Sequence, residues 1–204
     1  ATVHFDRMKN PVFVALIALF FNAAAMAVSL VPAPPSINAD AYLLLDFVTG
    51  EILVQHNIDT RLPPASLTKL MTSYILAEEV DSGRLSLDDE VTVSRNAWSQ
   101  NPKFRGSSLM WIEPGKEVTV GELEQGIAIS SGNDATVAIA EHIAGSEEAF
   151  VALMNRYAEE LGLTATHFEN THGLPNSDHL TTARDLGVLA SATIRNHPER
   201  YRVY

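Results

Sequence analysis

The chain contains no cysteine, and only four of its 204 residues are lysine. The first absence excludes disulfide scaffolds, thiolate catalysis and any zinc site built on sulfur. It suits an exported protein that does not depend on oxidation. The second absence sits within an acidic balance, 14 basic against 25 acidic side chains and a net charge of −11. A general nucleic-acid binder is thereby excluded, because phosphate affinity rests on clustered cations. No internal repeat is present. Apolar residues at 46% and charged residues at 19% exclude a disordered or collagen-like polymer, and the length is enough to bury one real core.

Long hydrophobic runs are also lacking. The longest, residues 11–21, stops at Asn22 and falls short of the ~20 residues that a spanning helix needs. It follows the basic start Met8-Lys9-Asn10 and leads to Ala25-Met26-Ala27, a small-x-small pattern. Together these form a secretory signal peptide, with cleavage expected after Ala27. Residues 1–7 precede Met8 and read as upstream sequence. The expected organisation is residues 1–27 as upstream sequence and signal peptide, 28–37 as a proline-stiffened lead-in, and 38–204 as one domain. The protein is expected to work outside the cytoplasm.

Along that domain, residues 41–48 and 51–55 are strand-like runs and predict a hairpin with the two-residue turn Thr49-Gly50. From Ser66 the apolar positions Leu67, Leu70, Met71, Tyr74 and Ile75 recur at helical spacing, ending near Ser82-Gly83. A short strand is predicted over residues 90–93. Residues 101–115 form a loop, with Trp98 and Trp111 expected to pack it down. Thr119 and Glu122 make a capping box that opens a helix to about Ile129. The segment Ser130-Ser131-Gly132-Asn133 breaks that helix, and Asp134 is expected to cap the next, residues 135–144. Gly145 ends it and Ser146 caps a third. Residues 163–168 read as strand-like, residues 169–180 as a loop, and residues 182–196 as a last helix.

Chemistry enters at Ser66-Leu67-Thr68-Lys69. Residues i and i+3 share one helix face with Cβ atoms ~5–6 Å apart, so the amine can reach the hydroxyl. A helix start directs free N–H groups and a positive dipole end at Ser66, favouring an alkoxide and opposing a charge on Lys69. Alone, Ser-x-x-Lys also fits a helix cap beside a solvated lysine. The second element is Ser131-Gly132-Asn133, 65 residues on and between two helices. There a hydroxyl could pass a proton to a leaving amine and a carboxamide could hold a peptide carbonyl. The bland alternative is a plain helix connector. The pair, together with a Lys-Thr-Gly strand, forms the signature of penicillin-interacting serine enzymes.

Residues 64–74 around Ser66 closely resemble the nucleophile segment of D-alanyl-D-alanine carboxypeptidases, the low-molecular-mass penicillin-binding proteins. The likeness continues through Arg105-Gly106-Ser107-Ser108-Leu109-Met110, Ser131-Gly132-Asn133-Asp134-Ala135, His172-Gly173-Leu174 and Thr182-Ala183-Arg184-Asp185, covering residues 38–204. It implies an α/β fold of the serine β-lactamase and D,D-peptidase type, an antiparallel sheet with a helical region, incomplete at the C-terminus. By that resemblance Ser66 attacks the carbonyl between the two terminal D-alanines of a peptidoglycan stem pentapeptide, and Lys69 is the general base. Ser131 relays a proton to the leaving D-alanine and Asn133 binds the substrate backbone. His172 and Leu174 line the substrate groove, with a structural loop role as the alternative.

The resemblance also implies β-lactam inhibition, no cofactor, and a periplasmic or cell-envelope location. Association with the inner membrane would run through a C-terminal anchor. None of Lys9, Lys69, Lys103 and Lys116 begins a Lys-Thr-Gly, so the chain is expected to stop before that strand and to be inactive by itself. A D,D-endopeptidase, a β-lactamase and a non-catalytic wall-binding protein are the rival readings. Gly132, where class A β-lactamases carry aspartate, opposes the second. So does the segment after Glu169, which lacks their Glu-x-x-Leu-Asn pattern. A metal site is not expected, since His167 and His172 stand five apart without a His-Glu-x-x-His helix.

Overall fold

The computed structural model describes residues 34–204, of which Asn38–Tyr204 make one compact unit. The signal peptide expected over residues 8–27 lies outside the described residues. The unit belongs to the α/β class, with helices around two small antiparallel sheets. Strands β1 (Tyr42–Leu45) and β2 (Ile52–His56) pair with Tyr42 opposite His56. Strands β3 (Glu90–Thr92) and β4 (Glu117–Thr119) pair with Val91 opposite Val118. The helices are α1 (Lys69–Asp81), α2 (Val120–Ser130), α3 (Asn133–Ala144), α4 (Glu147–Glu160), α5 (Ala183–Asn196) and the short α6 (Pro198–Tyr201). Among the described residues no helix is long and apolar enough to cross a membrane.

Helix α1 is the axis of the core. Met71, Tyr74 and Ile75 face one apolar cluster with Phe150, Met154, Phe168 and Leu189, while Leu76 faces another with Phe104, Leu123 and Ile139. A helix covered on nearly every side carries no solvent stripe. Each fully buried Phe or Leu contributes ~1.5–3 kcal/mol relative to exposure. The end of α5 is tied to α1 by His197, whose ring nitrogens lie 2.6 Å from Asp81 and 3.1 Å from Glu78.

The local signals for helix ends act as read. Thr119 Oγ1 accepts from the Glu122 N–H while the Glu122 carboxylate accepts from the Thr119 N–H, which closes the capping box. Ser146 and Thr182 cap α4 and α5 through the N–H groups three residues on. Five expectations are corrected. The hairpin loop has four residues, 47–50, because Asp46 Oδ1 gathers the Val48 N–H, the Thr49 N–H and the Thr49 hydroxyl while Asp46 N donates to Glu51 O. Ser66 lies in a single 3-10 turn, Ala65–Thr68, that precedes α1.

Residues 163–168 form no extended strand: His167 pairs with Leu180 in a single antiparallel bridge, and side chains take up backbone groups on either side of it. Ala165 N donates to Asp185, Arg61 donates to Ala165 O, and Asn155 pairs with both N and O of Phe168. Trp111 does not pack its loop down: at φ +70° it points outward and is 71% exposed. Asp134 does not cap α3. Its buried carboxylate crosses to the 110–112 segment and accepts the N–H groups of Met110, Trp111 and Ile112 at 2.8, 2.8 and 3.1 Å.

That clamp generates a test. Removing the carboxylate leaves three inward N–H groups without an acceptor, each worth roughly 1–3 kcal/mol when buried. Asp134→Ala should therefore lower the unfolding free energy by about 3 kcal/mol or more, measured by urea denaturation. A loss within the range of a surface substitution, below ~0.5 kcal/mol, would show that the clamp holds nothing.

Candidate active site

Three segments far apart in sequence meet on one nitrogen. Lys69, at the first residue of α1, is only 5% exposed. Its Nζ lies 2.7 Å from Asn133 Oδ1, 2.9 Å from the His172 carbonyl and 3.5 Å from Ser66 Oγ. Burial lowers the Lys69 pKa to about 8, with the negative charge of Asp134 pulling the other way. In its neutral form an amine has two N–H groups and one lone pair. The carboxamide oxygen and the backbone carbonyl can only accept, so they take the two N–H groups and leave the lone pair for Ser66. Such a nitrogen is a base aimed at a hydroxyl.

Ser66 is the second residue of its 3-10 turn, where an N–H has no acceptor within the turn and is free for a ligand. Ser66, Lys69, Ser73 and Ser131 line one cleft of about 160 Å³, with Leu70, Ile127 and Tyr204 among its other walls. Ser131 enters it from the C-terminal end of α2 in a left-handed conformation, φ 51° and ψ 38°. Its hydroxyl makes no hydrogen bond to Lys69 or Ser66. Gly132 follows because space is short: a Cβ there would stand 3.0 Å from Met110 N, which Asp134 holds in place. An aspartate at this position would press against that clamp.

Of the six residues singled out in the sequence, Ser66, Lys69, Ser131 and Asn133 come together. His172 joins them through its carbonyl alone. Its ring turns the other way, edge-on to Phe104, with Nε2 3.4 Å from Glu147 and Nδ1 accepting the Leu174 N–H. Burial pushes the His172 pKa down, although the carboxylate of Glu147 opposes this. Glu147 also takes Thr171 and Lys103, so it braces the turn that presents the His172 carbonyl to Lys69. Leu174 packs partly into the core beside Phe104 and borders a second cavity with Pro63 and Ala65. Glu169 is an exposed carboxylate paired with His167.

Two residues of the site escaped the sequence. Asp134 reads locally as a helix cap, and nothing near it signals the 110–112 segment. Glu147 follows a capping serine and reads as an ordinary first-turn acid. Gly173 carries a signal that could have been used, since it is the one glycine of the loop 169–180. It passes so close to the nucleophile turn that a Cβ would stand 1.8 Å from Ala65 O, at φ +90°. Gly173→Ala should push the 3-10 turn away from Gly173 and lower the urea midpoint of unfolding. An unchanged midpoint would mean the close approach is not needed.

Comparison with known proteins shows the family of the chain. A family model described as D-alanyl-D-alanine carboxypeptidase matches residues 28–204. The chain is 44% identical over 191 residues to D-alanyl-D-alanine carboxypeptidase DacC of Escherichia coli K12, covering 93% of this chain and 48% of that protein. It is 46% identical over 202 residues to the enzyme DacD of Salmonella typhimurium, covering 97% and 52%. The crystal structure of penicillin binding protein 5 from Haemophilus influenzae superposes with a TM-score of 0.81 at 41% identity, over 85% of this chain and 50% of that one. Penicillin binding protein 6B from Escherichia coli gives 0.80 at 48%, over 85% and 55%. The chain thus spans about half the length of the curated relatives it matches.

Proposed function

Because the chain belongs to the D-alanyl-D-alanine carboxypeptidase family, we propose that it is the serine-bearing part of an enzyme that removes the terminal D-alanine from peptidoglycan stem pentapeptides. The observation that carries this reading is the buried amine of Lys69, its two N–H groups occupied by carbonyls and its lone pair facing Ser66 Oγ at 3.5 Å.

Lys69 takes the proton of Ser66 as Oγ bonds to the carbonyl carbon between the two D-alanines. The oxyanion that forms faces the free N–H of Ser66, at the positive end of the turn that leads into α1. When the carbon–nitrogen bond breaks, the leaving D-alanine nitrogen needs a proton. The Ser131 hydroxyl lines the same cleft and passes it from Lys69. Water then adds to the acyl-serine, and Ser66 regains its proton as the shortened peptide leaves. Asn133 has two tasks in this scheme, since its oxygen holds Lys69 and its NH₂ group is left for a substrate carbonyl. A β-lactam offers a strained amide in place of the D-Ala-D-Ala bond, and its ring opens onto Ser66.

We place the working site in the cell envelope, on the strength of the export pattern in residues 8–27 and the chemistry of the substrate. Residues 38–204 are proposed as part of its catalytic domain. Gly132 stands where class A β-lactamases carry aspartate, and a side chain there would crowd Met110, which speaks against that alternative.

Mass spectrometry of the full-length gene product after exposure to a penicillin tests this proposal. A long-lived adduct on the peptide containing Ser66 is expected, absent from Ser66→Ala. Rapid turnover with no retained adduct would point to a β-lactamase. Failure to react at all would favour a wall-binding protein with a silent site.

The base is tested by pH. Its ammonium form has no lone pair, and burial moves the balance between ammonium and amine to about pH 8. Acylation should rise roughly tenfold per pH unit below that point and level off above it. Lys69→Ala should cut the rate by ~10²–10⁴. A flat profile between neutral and alkaline pH would exclude Lys69 as the base.

A further inference from the structure

Ala65, the residue directly before Ser66, holds φ at +49°, a conformation that L side chains adopt at a cost of ~1–3 kcal/mol. Something must hold it there. Its carbonyl lies against Gly173 on one side, and on the other it accepts a hydrogen bond from Thr68 Oγ1 at 2.8 Å. Thr68 is fully buried and has a second polar partner, His179 Nε2, 2.7 Å away and 111 residues distant in sequence.

The direction of that second bond follows from the other ring nitrogen. His179 Nδ1 stands 2.9 Å from the backbone nitrogen of Glu169, whose N–H can only donate. Nδ1 is therefore bare, and a neutral imidazole with a bare Nδ1 carries its proton on Nε2. Thr68 receives from His179 and gives to Ala65. The result is a buried one-way chain, from the Glu169 N–H through the imidazole and the hydroxyl to the Ala65 carbonyl.

We propose that Thr68 and His179 are positioning residues for the nucleophile: the Nε2–H tautomer of His179 orients the Thr68 hydroxyl, which pins the Ala65 carbonyl and so aims Ser66 Oγ at Lys69 Nζ. The proposal rests on the reading of Ser66 as the acylated serine. It assigns a task to the Thr between Ser66 and Lys69 and to a histidine outside the cleft. The groups facing His179 are the Glu169 carboxylate, which favours a charged ring, His167, which opposes it, and the edge-on ring of Phe168 at 5.7 Å. Burial outweighs Glu169 and holds the imidazole at about 4. The chain of donors is consequently intact throughout the range in which Lys69 titrates, and its loss should change the rate without moving that titration.

Acylation of the full-length gene product by a fluorescent penicillin tests this directly. An unlabelled wild type would remove the nucleophile reading and this proposal with it. With the wild type labelled, Thr68→Ser keeps the hydroxyl and should stay within ~3-fold of its rate. Thr68→Val keeps the shape but loses the hydroxyl, and should lower the acylation rate at saturating penicillin by ~10- to 100-fold. Its affinity for the initial complex and the alkaline midpoint should be unchanged. In the unmutated protein, ¹⁵N NMR should show His179 with a protonated Nε2 and a bare Nδ1, a readout that stands even if Thr68→Val fails to fold. Equal rates for Thr68→Val and wild type, an equal loss in both variants, or a proton on His179 Nδ1 would overturn the positioning role while leaving Ser66 as the nucleophile.

Discussion

A lysine amine withdrawn from water is the constraint around which this molecule is organised. A charged ammonium at 5% exposure is costly unless every donor finds an acceptor, and the cost falls when the group gives up its proton. Both remedies are at work on Lys69. Asn133 arrives from the start of α3 and the His172 carbonyl from the loop before α5, 64 and 103 residues away in the chain. Neither acceptor would be in reach without α1 lying between the two apolar clusters. The core therefore sets the chemistry, because it decides where the nitrogen sits and how readily it releases a proton.

The segments that meet at Lys69 are each braced from behind. Asp134 ties the start of α3 to residues 110–112, and Gly132 allows that contact to close. Glu147 ties the start of α4 to the 171–172 turn and to Lys103. Three non-glycine residues near these contacts hold a left-handed backbone: Ala65 before the serine, Trp111 beside the Asp134 clamp and Ser131 in the cleft. Each stores ~1–3 kcal/mol that the surrounding contacts must offset. Strain of this kind is tolerated where a rigid frame over-determines the position.

Three buried groups around the site hold backbone N–H groups. Asp134 spends its oxygens on N–H groups, and the Nδ1 atoms of His172 and His179 each accept an N–H. The cleft itself presents hydroxyls and one amine, the groups that exchange protons during acyl transfer. This separation between bracing and reacting groups fits a site that must stay fixed while charge develops on a substrate oxygen.

Much of this was legible in the residues alone. The helix starts at Thr119, Ser146 and Thr182, and the stop at Gly145, are local events between groups a few residues apart, so the order of residues determined them. The spacing of Ser66 and Lys69, one turn apart, was fixed in the same way. Tertiary structure decided the rest. Asp134 gave up the cap it was suited to because three N–H groups from another segment offered more, and residues 163–168 gave up an extended strand because Asn155, Asp185 and Arg61 met their backbone groups first. It also decided that the His172 carbonyl, and not its ring, would reach Lys69. Side chains compete for partners in space, and only the folded chain shows which partners are near enough to win.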